Sequence, residues 1–134
     1  MVEAKAIRIG VEQFAVTATS GHAIVVDADR ERNSAPSPME LVLMGLCACT
    51  ATDVDIILRK KREPFTSLEV RAEAERAKES PQVYTSIKLV FTVGGKVSKK
   101  AVQDAVRLSD EKYCSVSAML QKTAKITAEI VYLP

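Results

Sequence analysis

The sequence predicts an α+β domain with the element order βββ-α-ββ-αα-β. Apolar and polar residues alternate before residue 30 and again after Pro64, which is typical of half-buried strands. Between these regions lies one long apolar segment that opens at a proline and has the length of a helix. The 134 residues are enough for one hydrophobic core, so we expect a single domain over residues 1–134.

The N-terminal region predicts a meander of three strands. Alternation runs through EAKAIRI, QFAVTAT keeps its apolar residues on one face, and AIVVDA follows the turn residues Ser20 and Gly21. The polar segment DRERNSAPS contains a proline and predicts a loop that leads into the first helix.

The first helix has a clear start signal. Ser37 is placed as N-cap, Pro38 as the first helical residue and Glu40 as the residue that reaches back, which together form a capping box. The helix can continue to about Arg62, and its first half, Leu41 to Cys49, is apolar on every side. A sheet of about six short strands covers one side of such a helix, so we expect a second subunit to cover the other.

The second half of the chain predicts a hairpin, two helices and a final strand. The segments SLEVRAEAER and VYTSIKLVFTV alternate, and Gly94 and Gly95 close the second one. We expect a helix to open at Ser98, a short helix to cover Ser115 to Thr123, and ITAEIVYL to form the last strand.

Composition and charge exclude several classes of function. Nineteen basic residues against seventeen acidic ones leave a net charge of +2, too small to indicate a nucleic-acid partner. The longest apolar run has nine residues, below the ~20 that cross a bilayer, and the N-terminus does not resemble a signal peptide. We therefore expect a cytoplasmic protein with no membrane partner, in which three cysteines do not form a disulfide framework.

Cys47 and Cys49 lie too far apart around the helix to act together. Two helical positions differ by about 200°, which prevents both a disulfide and a C-x-C metal chelate. A zinc site built from these residues, Cys114 and His22 is disfavoured because structural zinc sites present their cysteines from a knuckle. We expect neither a metal nor a cofactor, and we interpret Cys47, which faces apolar neighbours, as a packing residue.

Cys49 and Cys114 have the surroundings of reactive thiols. Gly45 leaves space beside Cys49, and Asp53 follows one turn later, so the helix face changes from apolar to polar at the sulfur. Cys114 precedes a predicted helix start and follows Lys112, and both features predict a stabilised thiolate there.

The segments PSPMELVLMGLCACTATDV and KYCSVSAML, together with TATSGH near the N-terminus, resemble the OsmC/Ohr superfamily. The resemblance extends over most of the chain and includes the order of elements. It implies an OsmC-like fold in an intertwined homodimer, with long central helices against antiparallel sheets and the sites at the subunit interface. It also implies that Cys49 is the peroxidatic thiolate and Cys114 the resolving thiol, whereas Cys47 matches neither position.

The chemistry that the resemblance implies is thiol-dependent reduction of organic hydroperoxides in oxidative-stress defence. The thiolate attacks the O–O bond, becomes a sulfenic acid and condenses with the second thiol to a disulfide, which an external dithiol reduces. The alternative is a non-enzymatic protein of the same fold that binds a small apolar ligand at the dimer interface.

Peroxidases of this superfamily support the thiolate with an arginine and a glutamate, and this chain departs from that pattern. The glutamate position, one residue after the helix-start proline, is Met39, and Glu40 follows it. Where Ohr-type members carry the arginine, this chain has His22, and Arg30 and Arg32 lie in the loop from which OsmC-type members supply theirs. We expect His22, Glu40 and Arg32 to be the supporting residues.

Overall fold

The computed structural model describes all residues from 1 to 134 and confirms the predicted order of elements. A single π-helical turn, Ser109–Tyr113, joins the second and third helices. The remaining elements are β1 (Ala4–Gly10), β2 (Gln13–Ala18), β3 (Ala23–Asp27), α1 (Pro38–Lys60), β4 (Phe65–Arg76), β5 (Tyr84–Gly95), α2 (Lys99–Leu108), α3 (Ser115–Leu120) and β6 (Lys125–Tyr132). The chain divides into two compact units, Met1–Met44 and Gly45–Pro134, so a single domain over 1–134 stays a prediction.

The first unit contains an antiparallel sheet in the order β1-β2-β3. Gly21 has a φ of +86° in the turn between β2 and β3, a conformation that favours glycine, and its N–H donates to Ala18 O at 2.9 Å. The six strands form two three-stranded sheets instead of the one sheet that the sequence suggested. Four large apolar side chains of the first sheet are exposed in the single chain, namely Ile7, Ile9, Ile24 and Val25.

The capping box at the start of α1 is confirmed. The Ser37 N–H donates to Glu40 Oε1 at 3.0 Å, and the Glu40 N–H donates to Ser37 Oγ at 3.2 Å. At the other end, the Glu63 N–H donates to Leu58 O at 3.0 Å, and Arg62 adopts a φ of +58°. The helix ends at Lys60, and the left-handed Arg62 follows it two residues before Pro64.

Helix α1 is buried along one side only in the single chain. Its fully buried residues recur every four positions, which places them in one stripe: Leu46, Thr50, Val54 and Leu58. Val42 and Met44 are 40% and 50% exposed. The helix is also long and apolar enough to cross a membrane by length and composition, but its stripe of fully buried side chains is typical of a core helix, and we interpret it as one.

The second unit is built around a sheet in the order β4-β5-β6. The predicted hairpin of β4 and β5 is confirmed, with Leu68 opposite Val93. β6 pairs with β5 in the parallel direction, so the expectation of purely antiparallel sheets is wrong here. The reason is the crossover through α2 and α3, which returns the chain to the end of the sheet where β5 begins.

The crossover between β5 and β6 begins and ends at well-defined caps. Ser98 caps α2 as predicted, since its Oγ accepts from the Ala101 N–H at 3.2 Å. In the π-helical turn the Cys114 N–H donates to Ser109 O, five residues back, at 2.8 Å. The extra residue in this turn sets the direction of the chain at Cys114. Helix α3 ends at Leu120 and not at the predicted Thr123.

Candidate functional site

The two cysteines predicted as reactive lie side by side. The Sγ atoms of Cys49 and Cys114 and a carboxylate oxygen of Asp53 all lie within 4.8 Å of one another. Both thiols are free; Cys114 is 3% exposed, whereas Cys49 and Asp53 are half-buried. A disulfide has an S–S bond of about 2 Å, so the two sulfurs would have to approach each other by up to about 3 Å to form one.

Cys114 occupies the N-cap of α3, but it does not have the predicted thiolate character. Its Sγ accepts a hydrogen bond from the Ser117 N–H at 3.2 Å, which favours the ionised form. Burial of the sulfur opposes this and, together with a hydrogen bond to Cys49, raises the pKa of Cys114 to about 12. The expectation of a thiolate at Cys114 is therefore wrong, because desolvation outweighs the helix N-terminus, and the residue is a protonated thiol at neutral pH.

Asp53 joins this pair through Ser109. The Ser109 hydroxyl donates to Asp53 Oδ2 at 2.8 Å, and Ser109 is fully buried at the start of the π-helical turn. Sequence reasoning used Asp53 only as a sign that the helix face becomes polar after Cys49. Because Asp53 follows Cys49 by four residues on a helix, the sequence did indicate that these two side chains lie close together. No local pattern links Asp53 to Ser109, which lies 56 residues away.

Cys47 has different surroundings from the thiol pair. It is half-buried, and burial raises the pKa of its thiol, while a hydrogen bond from the backbone of Ala72 in β4 opposes part of that effect. A thiol with a raised pKa is poorly nucleophilic at neutral pH. These surroundings agree with the interpretation of Cys47 as a packing residue.

In the first unit, Glu40 pairs with Arg30. Arg30 Nη1 donates to Glu40 Oε1 at 3.0 Å, and Arg30 Nη2 donates to the backbone oxygens of Asp27 and Ala35. The pKa of Glu40 is lowered, first by the Ser37 backbone N–H, then by the Ser37 side chain, with a smaller effect of Arg30. Glu40 thus serves both the helix cap and an arginine, which is Arg30 and not the Arg32 selected from the sequence.

Arg32, the arginine selected from the sequence, is bound elsewhere in the same loop. Its Nε and Nη2 donate to the two carboxylate oxygens of the buried Asp27, at 2.9 and 2.8 Å. Arg32 and two hydrogen bonds from Ser34 hold the pKa of Asp27 far below its usual range against the effect of burial. His22 is exposed in the turn between β2 and β3, and the supporting roles of His22 and Arg32 stay predictions.

A groove of about 380 Å³ lies beside Asp53 in the second unit. Its walls combine apolar side chains with two lysines: Ile56, Ile57, Lys60, Lys61, Leu108 and Tyr113. Such a lining accommodates a small organic molecule next to the polar end of the thiol pair.

An α+β fold with one thiol inside a capped helix and a second thiol beside it at a helix start defines a class of two-cysteine proteins. Residues 29–129 match the family model of the OsmC-like proteins. The chain belongs to the OsmC-like family, which confirms the resemblance seen in the sequence.

Several individual proteins are similar to this chain in sequence or in fold. The chain is 47% identical over 72 residues to Protein YhfA of Escherichia coli K12, a match that covers 53% of this chain and 54% of YhfA. It thus spans about half the length of the curated relatives it matches. A hypothetical protein from Aquifex aeolicus is 30% identical with a TM-score of 0.86, over 100% of this chain and 98% of that one. The organic hydroperoxide resistance protein OhrB of Bacillus subtilis, 14% identical over 97% of both chains with a TM-score of 0.65, shares the fold.

Proposed function

We propose that this protein reduces organic hydroperoxides with a pair of thiols, Cys49 attacking and Cys114 resolving. One observation carries the proposal: two free thiols that are distant in the sequence have their Sγ atoms within 4.8 Å of each other. A pair at this distance converts a sulfenic acid to a disulfide without a large movement of the backbone.

The unequal burial of the two thiols supports this division of roles. A hydroperoxide needs access to the attacking sulfur, and the half-buried Cys49 offers more access than the 3% exposed Cys114. The Cys49 thiolate attacks the O–O bond, an alcohol leaves, and Cys49 becomes a sulfenic acid. Cys114 then displaces the hydroxyl group as water, and an external dithiol reduces the disulfide.

The support of the thiolate is the second part of the proposal. The resemblance assigns this role to an arginine held by a glutamate, and Arg30 with Glu40 is such a pair in this chain. We therefore propose Arg30 as a candidate for the role beside Arg32, whose guanidinium is bound by Asp27. His22 is the remaining candidate for a positive charge.

We further propose that the protein acts as a cytoplasmic homodimer. The apolar residues left exposed on α1 and on the first sheet support a subunit interface. An external dithiol is the proposed reductant, and an organic hydroperoxide the proposed substrate.

A cavity in the second unit favours one other candidate function, the binding of a small apolar molecule without chemistry. The cavity has a volume of about 280 Å³ and is lined partly by apolar side chains of β5, β6 and α2: Leu89, Phe91, Val106, Ile126, Ala128 and Ile130. It is of the size that holds a small organic ligand.

The experiment that separates these functions measures sulfenic acid at Cys49. Cys114 is replaced by serine in every protein compared, so that no second thiol consumes the sulfenic acid. The reduced protein is mixed with an excess of an organic hydroperoxide, sulfenic acid is trapped with a 1,3-diketone, and peptides are analysed by mass spectrometry. We expect labelling at Cys49 at least about a hundredfold faster than in a free thiol, no labelling in Cys49→Ser, and normal labelling in Cys47→Ser. Labelling of Cys49 no faster than in a free thiol rejects the peroxidase and favours the binding protein.

A further inference from the structure

Asp53 has no part in the reaction described so far, although it lies at the thiol pair. Its carboxylate has an oxygen within 4.8 Å of both Sγ atoms, because it follows Cys49 by one turn of α1 and faces Cys114. When Cys49 is oxidised, its sulfenic oxygen extends beyond the sulfur by one bond. The carboxylate is then an acidic side chain beside the group that must leave.

The position of Asp53 is fixed by the same turn that places Cys114. Ser109 donates its hydroxyl to Asp53 Oδ2 at 2.8 Å, and its backbone oxygen accepts from the Cys114 N–H at 2.8 Å. Ser109 is 1% exposed, so this tether is shielded from water. The π-helical turn thus sets the distance between a carboxylate and a thiol that belong to different elements.

The resolving step needs a base at this place. Cys114 attacks as a thiolate, but burial raises the pKa of Cys114 to about 12. At pH 7 the Cys114 thiol is then ionised in only about one molecule in 10⁵. The thiol of Cys114 must therefore lose its proton during the attack, to an acceptor inside the site.

We propose that Asp53 is the proton acceptor of the resolving step, taking the proton of the Cys114 thiol and giving it to the hydroxyl that leaves Cys49. The inference rests on the proposed peroxidase function. In the step, the S–H bond of Cys114 and the S–O bond of Cys49 break, and an S–S bond forms. The proton passes through Asp53 to the departing hydroxide to make water, and the carboxylate returns to its ionised state. The organic hydroperoxide has already supplied the oxidising equivalents.

Other titratable groups near the site are less suited to this role. Asp110 lies on the π-helical turn, but its Oδ1 accepts from Gln121 Nε2 at 2.9 Å and from Ser117 Oγ at 3.4 Å. Lys60, Lys61 and Tyr113 share the groove with Asp53, but an ammonium group donates hydrogen bonds and offers no acceptor. These residues stay unchanged in the tests below, so that the surroundings of Asp53 are constant.

The test isolates the loss of the Cys114 proton from the reaction with peroxide. In a Cys47→Ser background, Cys49 is loaded with one equivalent of an aromatic disulfide reagent, which leaves a mixed disulfide there. Attack by Cys114 then releases a coloured aromatic thiolate, a leaving group that needs no proton, and its absorbance gives the rate. We expect Asp53→Asn to slow the release about 10²–10⁴-fold and to give it a steeper rise with pH, because hydroxide then has to remove the proton.

The control is Asp55→Asn, the same change two residues further along α1. Asp55 pairs with Arg59 at 3.0 Å on the exposed side of the helix, so we expect the release rate to be unchanged. Asp53→Glu keeps the carboxylate and should recover part of the rate. Ser109→Ala removes only the tether, and it serves as the second variant if Asp53→Asn does not fold.

Two outcomes overturn the inference: release at the wild-type rate and pH profile in Asp53→Asn, or in Ser109→Ala when that variant replaces it. A failure of the proposed function is seen separately, as absence of peroxide-dependent sulfenic acid at Cys49. The release assay contains no peroxide and therefore reports on Asp53 in either case.

Discussion

Cys49 and Cys114 lie in contact distance but in unequal environments. Cys114 is almost completely buried and stays protonated at neutral pH, whereas Cys49 is half-buried at the point where the face of α1 becomes polar. In the proposed function this unequal access is the reason to assign the attack to Cys49 and the resolving step to Cys114. Cys47, with Ala72 of β4 as its neighbour, lies outside this arrangement.

Mild oxidation should join Cys49 to Cys114 and leave Cys47 reduced. The reason is proximity, since the Sγ atoms of the pair lie within 4.8 Å and two helical positions separate Cys47 from Cys49 by about 200°. Peptide mapping without reduction measures which cysteines are bridged, and Cys47→Ser should give the same bridge. A dominant bridge between Cys47 and Cys114 contradicts the assignment of the roles.

The raised pKa of Cys114 also predicts how stability depends on pH. An unfolded cysteine ionises at about pH 8.5, whereas the folded Cys114 ionises at about 12. The folded state therefore keeps a proton that the unfolded state loses, and this contribution to stability is complete below about pH 8.5 and declines as the pH rises toward 12. Urea denaturation of the reduced protein should show a falling midpoint above about pH 8.5, and Cys114→Ser should show a smaller fall. An equal fall in both proteins contradicts the role of Cys114.

At the scale of elements, the π-helical turn determines where Cys114 lies. It holds one residue more than an α-helical turn, and the Cys114 N–H bonds to Ser109 O instead of to the residue four back. Deletion of Lys112 should convert it to an α-helical turn and rotate Cys114 by about 100°, away from Cys49. We expect disulfide formation to slow at least about tenfold with helix content retained by circular dichroism, and Lys112→Ala to behave as wild type. Unchanged disulfide formation in the deletion variant means that the turn does not set the geometry.

Elements with a local sequence pattern were predicted correctly, whereas features that depend on distant contacts were not. The capping box of Ser37 and Glu40 and the alternation in β4 and β5 are local signals, and they located α1 and the hairpin correctly. The parallel pairing of β6 and the bond between Ser109 and Asp53 depend on contacts between distant segments, which leave no periodic pattern. The prediction of a thiolate at Cys114 was wrong because it used only the neighbouring residues in the sequence. The burial that raises the pKa of Cys114 comes from the folded unit.

At the scale of the molecule, the single chain leaves large apolar side chains exposed on α1 and on the first sheet. Helix α1 buries one stripe, while Val42 and Met44 are 40% and 50% exposed, and the first sheet exposes large apolar residues as well. Exposed apolar side chains on regular elements support a subunit interface, and a stable dimer buries about 1,200–2,000 Å² in total.

The reduced protein should therefore be a homodimer at micromolar concentration, with α1 in the interface. Light scattering coupled to size-exclusion chromatography measures the mass directly. Met44→Glu should shift the equilibrium toward monomer, because association would bury a carboxylate against apolar side chains without a partner. The matched control is Lys78→Glu in the loop between β4 and β5, which introduces the same side chain at an exposed polar position and should leave the dimer intact. A wild-type mass of about 14.6 kDa, that of one chain, contradicts the dimer, and equal masses for Met44→Glu and Lys78→Glu exclude this part of α1 from the interface.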